Sequence, residues 1–224
     1  MKKRVFTTLI IMLTLIFTGC SSEKPDENDS LVQDATNNFD IIVSNNIENK
    51  IYHSELNHFG FILEDSEKFE WTGDPSTNDA DFSLSFYAEE FIAAGLDVSM
   101  LEGNTFTYQE ASDNNPSMII YTSDVSNEKE TYSDYKEAFE KLLDKMPGQL
   151  STLENDGYIL DIGLGFQVHW NGEERENKDI AFIINADDLI GAGLNVEKLS
   201  SWEVMKNKDA TDTQVKLFKV YYLK

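Results

Sequence analysis

"YAEEFIAAGLDVSML", Tyr87 to Leu101, returns as "NADDLIGAGLNVEKL", Asn185 to Leu199. Ala88, Ile92, Ala94, Gly95, Leu96, Val98 and Leu101 recur as Ala186, Ile190, Ala192, Gly193, Leu194, Val196 and Leu199, each 98 positions later. Acids face acids (Glu89-Glu90 against Asp187-Asp188), Phe91 faces Leu189, and Asp97 faces Asn195. Both copies spell a short helix. Acids in its first turn suit the positive end of the helix dipole, and Asn185 is placed to cap it. Gly95 and Gly193 supply the left-handed residue that stops it, with the next Leu folding back.

Upstream, "GFILE" from Gly60 meets "GYILD" from Gly157, and "FEWTG" from Phe69 meets "VHWNG" from Val168, at offsets between 97 and 99. A period this long predicts two tandem modules rather than a solenoid. The same order of elements is predicted twice. Tyr135, Ala138, Phe139, Leu142, Leu143 and Met146 fall on one helical face, with Ser133 as N-cap and Pro147 as the stop. Phe39, Ile42, Val43 and Ile47 repeat that phase in the first copy. Strand-like runs follow at 60–64 and 69–71, matched by 158–162 and 165–170, with Thr72-Gly73 and Asn171-Gly172 as turns. A third run (82–86 or 180–184) enters the short helix, and a hairpin closes each copy (105–108 with 118–122; 202–205 with 215–222).

The predicted fold class is α+β, with homologous modules at 31–125 and 126–224. Each holds a long helix, a mostly antiparallel sheet of about five strands and a short helix, and is of ordinary size for burying its own core.

Ahead of the modules the chain changes character. Lys2, Lys3 and Arg4 precede an uncharged, mostly apolar stretch from Val5 to Phe17, then Thr18, Gly19 and Cys20. This is the layout of a secretory signal, and the run is shorter than the ~20 apolar residues of a permanent span. Thr18-Gly19-Cys20 resembles the lipobox of bacterial lipoproteins; Phe17 stands where that motif usually has Leu. The resemblance covers only the first 20 or so residues. It implies cleavage between Gly19 and Cys20, so that 1–19 is a removed signal peptide, and a diacylglyceryl group on the Cys20 thiol. The protein would then be anchored to the cell membrane, facing the extracytoplasmic side. "SSEKPDENDS", 21–30, is polar and carries Pro25, and with Cys20 reads as a flexible tether over 20–30.

Cys20 is the only cysteine. The body therefore has no disulfide, cysteine nucleophile or Cys-ligated zinc. Cleavage before Cys20 takes three of the 18 basic residues and none of the 41 acidic ones, leaving a side-chain charge of −26. Such a surface repels nucleic acid and anionic lipid headgroups, so neither is an expected partner.

The search for chemistry yields no catalytic residue, metal ligand set or cofactor. His53, His58 and His169 fit no metal spacing, and no HExxH, Gly-x-Ser-x-Gly or phosphate-cradling glycine loop appears. "DPSTNDADFSLS" from Asp74 begins like a calcium loop. It then places Asp79 where the turn needs Gly and Ser85 where a bidentate Glu belongs. The paired acids read as helix N-terminal residues rather than a general acid and base. Trp71 and Trp170 hold equivalent places, either as a duplicated core residue or as aromatics lining a shared groove. The expected function is non-enzymatic: an anchored lipoprotein that binds a protein or peptide, through the inter-module groove or the sheet edges. The alternative is a receptor for a small ligand or cation, with its site between the modules.

Overall fold

The computed structural model of the chain describes residues 27–45, 51–53, 58–64, 66–72, 81–101, 105–123, 132–146, 148–153, 157–163, 165–172, 178–206 and 214–223. Gly19, Cys20, the leader, most of the tether, Ile47, Gly73, Pro147 and the start of the calcium-like stretch at Asp74 lie outside them. Helix α1 (Glu27–Asn45) takes 27–30, which the sequence reading placed in the tether. It buries Val32, Ala35, Phe39, Ile42 and Val43 along one face, the i, i+3, i+4 stripe of a core helix. Its counterpart α3 (Tyr135–Asp144) buries Ala138, Phe139, Leu142 and Leu143. The N-cap of α3 is Asp134 rather than Ser133: its carboxylate accepts from the N–H groups of Lys136 and Glu137, both at 3.0 Å.

The first half contributes β1 (Ile51–His53), β2 (His58–Ile62), β3 (Lys68–Thr72), β4 (Phe82–Tyr87), α2 (Ala88–Ala93), β5 (Phe106–Gln109) and β6 (Met118–Ser123). The second repeats this with β7 (Leu150–Thr152), β8 (Tyr158–Gly163), β9 (Phe166–Asn171), β10 (Lys178–Asn185), α4 (Asp187–Gly191), β11 (Glu203–Lys206) and β12 (Val215–Leu223). Each half builds a six-stranded antiparallel sheet in the same order, β1-β2-β3-β4-β6-β5 and β7-β8-β9-β10-β12-β11. The fold is α+β with two sheet modules. The strand beyond the expected five is the short outer one, β1 or β7.

Strand pairing also corrects the alignment. Phe61 opposes Phe69, and Leu160 opposes Val168. Since β3 and β9 already match through Trp71 and Trp170, Phe61 corresponds to Leu160, at an offset of 99 rather than 97. Side chains on a strand alternate with period two, so a two-residue slip leaves the apolar face unchanged and is invisible to patterning.

The two modules do not bury separate cores. Their apolar faces form one cluster running from Val32 to Tyr221. The stacked rings of Phe39 and Phe139, 4.0 Å apart at 15°, lie at its centre. Trp71 and Trp170 each meet both phenylalanines edge-on, at centroid distances of 5.3–6.1 Å. The indole N–H of Trp71 donates to the carbonyl of Tyr135 at 3.0 Å; that of Trp170 donates to the carbonyl of Ala35 at 3.1 Å. Each tryptophan thus holds the helix of the other half. Gly172 lies so close to the Asn38 carbonyl that a β-carbon there has no room, and its N–H donates to the Asn38 side chain.

Reciprocity of this kind is the signature of a two-fold axis, here an internal one. The motif that recurs most faithfully sits on it. Asp97 N–H donates to Ala192 O at 2.8 Å and Asn195 N–H to Ala94 O at 3.1 Å. Gly95 and Gly193, at φ +107° and +96°, meet back to back. The Ala-Gly-Leu-Asp/Asn segment is retained in both copies because it is both a helix stop and one half of a self-complementary contact.

Candidate functional site

Trp71 and Trp170 are fully buried and hydrogen-bonded within the core, so neither offers a ring to a partner. The space between the sheets, where a cleft was expected, is filled by this aromatic cluster and by contacts such as Phe69 with Phe182 and Tyr121 with Phe166. Burial pushes the Tyr121 phenol up to about 12. Where the second half has Phe166 against Tyr121, the first half has Glu67 facing Lys219 and Tyr221. The Glu67 carboxylate accepts from Lys219 Nζ at 2.6 Å, Tyr221 OH at 2.8 Å and Tyr87 N–H at 3.0 Å. Lys219 also stands over the rings of Tyr221 and Trp202. Burial and the adjacent carboxylate drive the Tyr221 phenol far above its ordinary range, so it remains a hydrogen-bond donor. This buried ion pair ties one sheet to the other.

Glu90 was expected to be a helix N-terminal acid. It also reaches across the axis to accept from the N–H and hydroxyl groups of Ser200 and Ser201. Burial alone would raise its carboxyl; the hydrogen bonds from the two serines outweigh this and hold it below the ordinary value. In the other helix Asp187 accepts from Val215 N–H at 3.3 Å; the N-cap there is Ala186 rather than Asn185, whose side chain, one residue earlier, accepts from Asp187 N–H at 2.9 Å. These carboxylates are engaged in holding the fold.

The two sheets differ most on their outward faces. In sheet 1 the outward residues at the centre are Ser83 and Ser85 on β4, Glu70 on β3 and Thr122 on β6, with Ser83 donating to Glu70 at 3.0 Å. The corresponding positions in sheet 2 are Ala181 and Ile183 on β10, His169 on β9 and Val220 on β12. Ile159 beside His169, and Phe218 beside Ile183, extend an apolar band across four strands. Ala181 and Ile183 are buried at 7% and 6% exposure, while Tyr222 at 64% and Met205 at 43% are exposed at its margin. His169 lies in the middle, 6.5 Å from the Phe218 ring and 3.1 Å from the Gln167 amide oxygen. Burial lowers its imidazole below the ordinary range, so the ring is neutral.

The sequence search passed over this face, although a signal was present. "IAFII" (180–184) is apolar in both phases, the mark of a strand covered on both sides, whereas its aligned partner "FSLSF" (82–86) alternates.

On sheet 1 a depression of about 80 Å³ is lined, among the described residues, by Ser66, Lys68, Ser85, Gln109, Asn115, Pro116 and Met118. His53 and His58 fall on different strands, opposite Phe59 and Thr72. Among the described residues no group of three or more His, Cys, Asp or Glu side chains converges, and no helix is long and apolar enough to cross a membrane. No family model, no curated protein and no solved structure matches the chain.

Proposed function

We propose that the chain is a membrane-anchored, extracytoplasmic lipoprotein that binds a protein or peptide partner without catalysing a reaction, and that the outward face of sheet 2 is where the partner docks. The anchor half of this reading rests on the leader and on Thr18-Gly19-Cys20. The docking half is carried by one observation: at duplicated positions, sheet 1 presents Ser83, Glu70 and Thr122 to the outside, and sheet 2 presents Ala181, His169 and Val220. Both faces descend from one ancestor and serve one core. Ile120 of sheet 1 matches Phe218, but only sheet 2 continues the apolar surface through Ala181, Ile183 and Val220, and an apolar band with Met205 and Tyr222 exposed at its margin suits an interaction site.

A photo-crosslinking residue at Phe218, in the full chain on intact cells, is expected to join a discrete partner. The same residue at Ile120, the matching position of sheet 1, is expected not to. Equal yields from both positions would remove the docking reading. Cys20→Ala tests the anchor separately, since that variant should leave the membrane fraction. A second reading, a receptor for a small polar ligand, is favoured only by the depression lined by Lys68, Ser85 and Gln109. A thermal melt of the protein against small anions tests it.

A further inference from the structure

We infer that the partner enters as an extended cationic segment, adding a strand to the uncovered half of β12 so that its alternate side chains prolong the apolar face of sheet 2; this rests on the docking reading above. β12 runs from Val215 to Leu223, but β11 pairs only with Val215 to Phe218. Beyond that, no described strand lies along the outer edge of β12. In sheet 1 the matching edge is closed: β5 pairs with Met118 to Tyr121, and Thr122 N–H continues the ladder to Thr105 O at 3.2 Å. The difference has a cause. Ser201 and Trp202 correspond to Thr105 and Phe106, and they do not pair with β12 because Glu90 captures the Ser200 and Ser201 N–H groups. The clasp across the pseudo-dyad draws Ser200 and Ser201 off the edge, and no described strand takes their place along residues 219–223 of β12.

Natural edges are blunted by lysine, proline or a covering element. "VYYL", 220–223, has neither charge nor proline, and Lys219 is turned inward to Glu67. An added strand gains affinity from main-chain hydrogen bonds and specificity from alternate side chains. Val220 and Tyr222 point outward, level with Ala181 and Asp179. The charge of the occupant follows from the surroundings. Among the described residues, Asp161 and Glu203 face outward on this sheet and Lys216 does so on β12, in a chain of formal charge −23. A second copy of this chain would bring the same charge and be repelled; a basic segment is attracted.

The test uses the full chain in detergent and a short capped peptide alternating lysine and valine, with a glutamate–valine peptide and a version carrying a central proline as controls. The lysine–valine peptide is expected to bind, more weakly as salt rises, and to slow amide hydrogen exchange within 219–223. The glutamate peptide is expected not to bind, and the proline version to lose the protection. Binding that leaves exchange at 219–223 unchanged would overturn the added strand while leaving the face reading intact. Equal binding of both charged peptides would overturn the cationic preference, and no binding of either would overturn the inference as a whole. The crosslinking at Phe218 remains the separate test of the face.

Discussion

A β-carbon on Gly193 would stand 2.9 Å from the carbonyl oxygen of Gly95, and one on Gly95 would stand 3.1 Å from the carbonyl of Gly193. Each glycine therefore answers two demands at once. Its φ near +100° belongs to the conformations that L side chains avoid, and its bare α-carbon lets the two halves touch. Gly193→Ala should cost about 2 kcal/mol or more, combining left-handed strain of roughly 1–2 kcal/mol with displacement of the opposing backbone. Gly191→Ala is the control: it is the last residue of the helix that Gly193 follows, with nothing within 4 Å of a new β-carbon. Chemical denaturation of the two variants should show a clear loss for the first and little change for the second. Equal effects would mean that the axis is not packed as described.

The shared core makes a further demand. Trp71 donates to Tyr135 and Trp170 to Ala35, so each half holds the other's helix and the two sheets share one core. A fragment 27–131, or a fragment 132–223, should fail to unfold cooperatively by itself. Mixing the two should restore a single transition and the near-ultraviolet signal of the tryptophans. A cooperative melt from either fragment would show that the modules are independent domains.

Lys219 and Glu67 supply a double-mutant test. Lys219→Met leaves Glu67 buried beside Tyr221 without its cation, which typically costs about 3–5 kcal/mol. Adding Glu67→Gln removes the uncompensated charge while its amide oxygen keeps an acceptor for the Tyr87 N–H and its amide NH2 can donate to the Tyr221 hydroxyl oxygen. The double variant should therefore be more stable than Lys219→Met alone, with a coupling of about 1–3 kcal/mol. Additive losses would show that the pair does not interact in solution.

The fold class, the duplication and the long and short helices were legible in the sequence because each rests on local patterning. Phe39 and Phe139 repeat at helical spacing, and Gly95 and Gly193 stop a helix wherever they occur. What stayed hidden was non-local. Nothing near Glu67 in the chain announces that Lys219 and Tyr221 will surround it, and nothing near Glu90 announces Ser200 and Ser201. The candidate site was partly visible: the continuous apolar run at 180–184 signalled a strand with two apolar faces. Its openness depends on where Ser201 is held, which is a tertiary fact. Trp71 and Trp170 misled in the opposite sense, since a repeated aromatic reads alike whether it lines a groove or fills a core.

His169 links the stability of sheet 2 to pH. Its imidazole is flanked by Ile159 on β8 and Ala181 on β10, with Gln167 and Phe218 nearby. Among the described residues, the charged groups on the neighbouring strands of that face are Asp161, opposite Gln167, and Asp179, opposite Asn171. Burial holds the folded-state value below the 6.5 of a free imidazole, so below about that pH the unfolded chain binds more protons than the folded one. Stability contributed by the neutral ring is therefore fully present above pH 6.5 and declines as the pH falls through the free value towards the folded one. His53 and His58 also titrate in the unfolded chain, so the informative quantity is the difference between the wild type and His169→Gln, measured by denaturation from pH 7.5 to 5. That difference should shift in favour of the glutamine variant as the pH falls. Protonation should also place a cation in the centre of the docking face and repel a basic partner, so binding of the lysine–valine peptide should weaken over the same range in the wild type and not in His169→Gln. If the wild type and the variant kept a constant stability difference throughout, the ring would have to be solvated rather than enclosed among Ile159, Ala181 and Phe218.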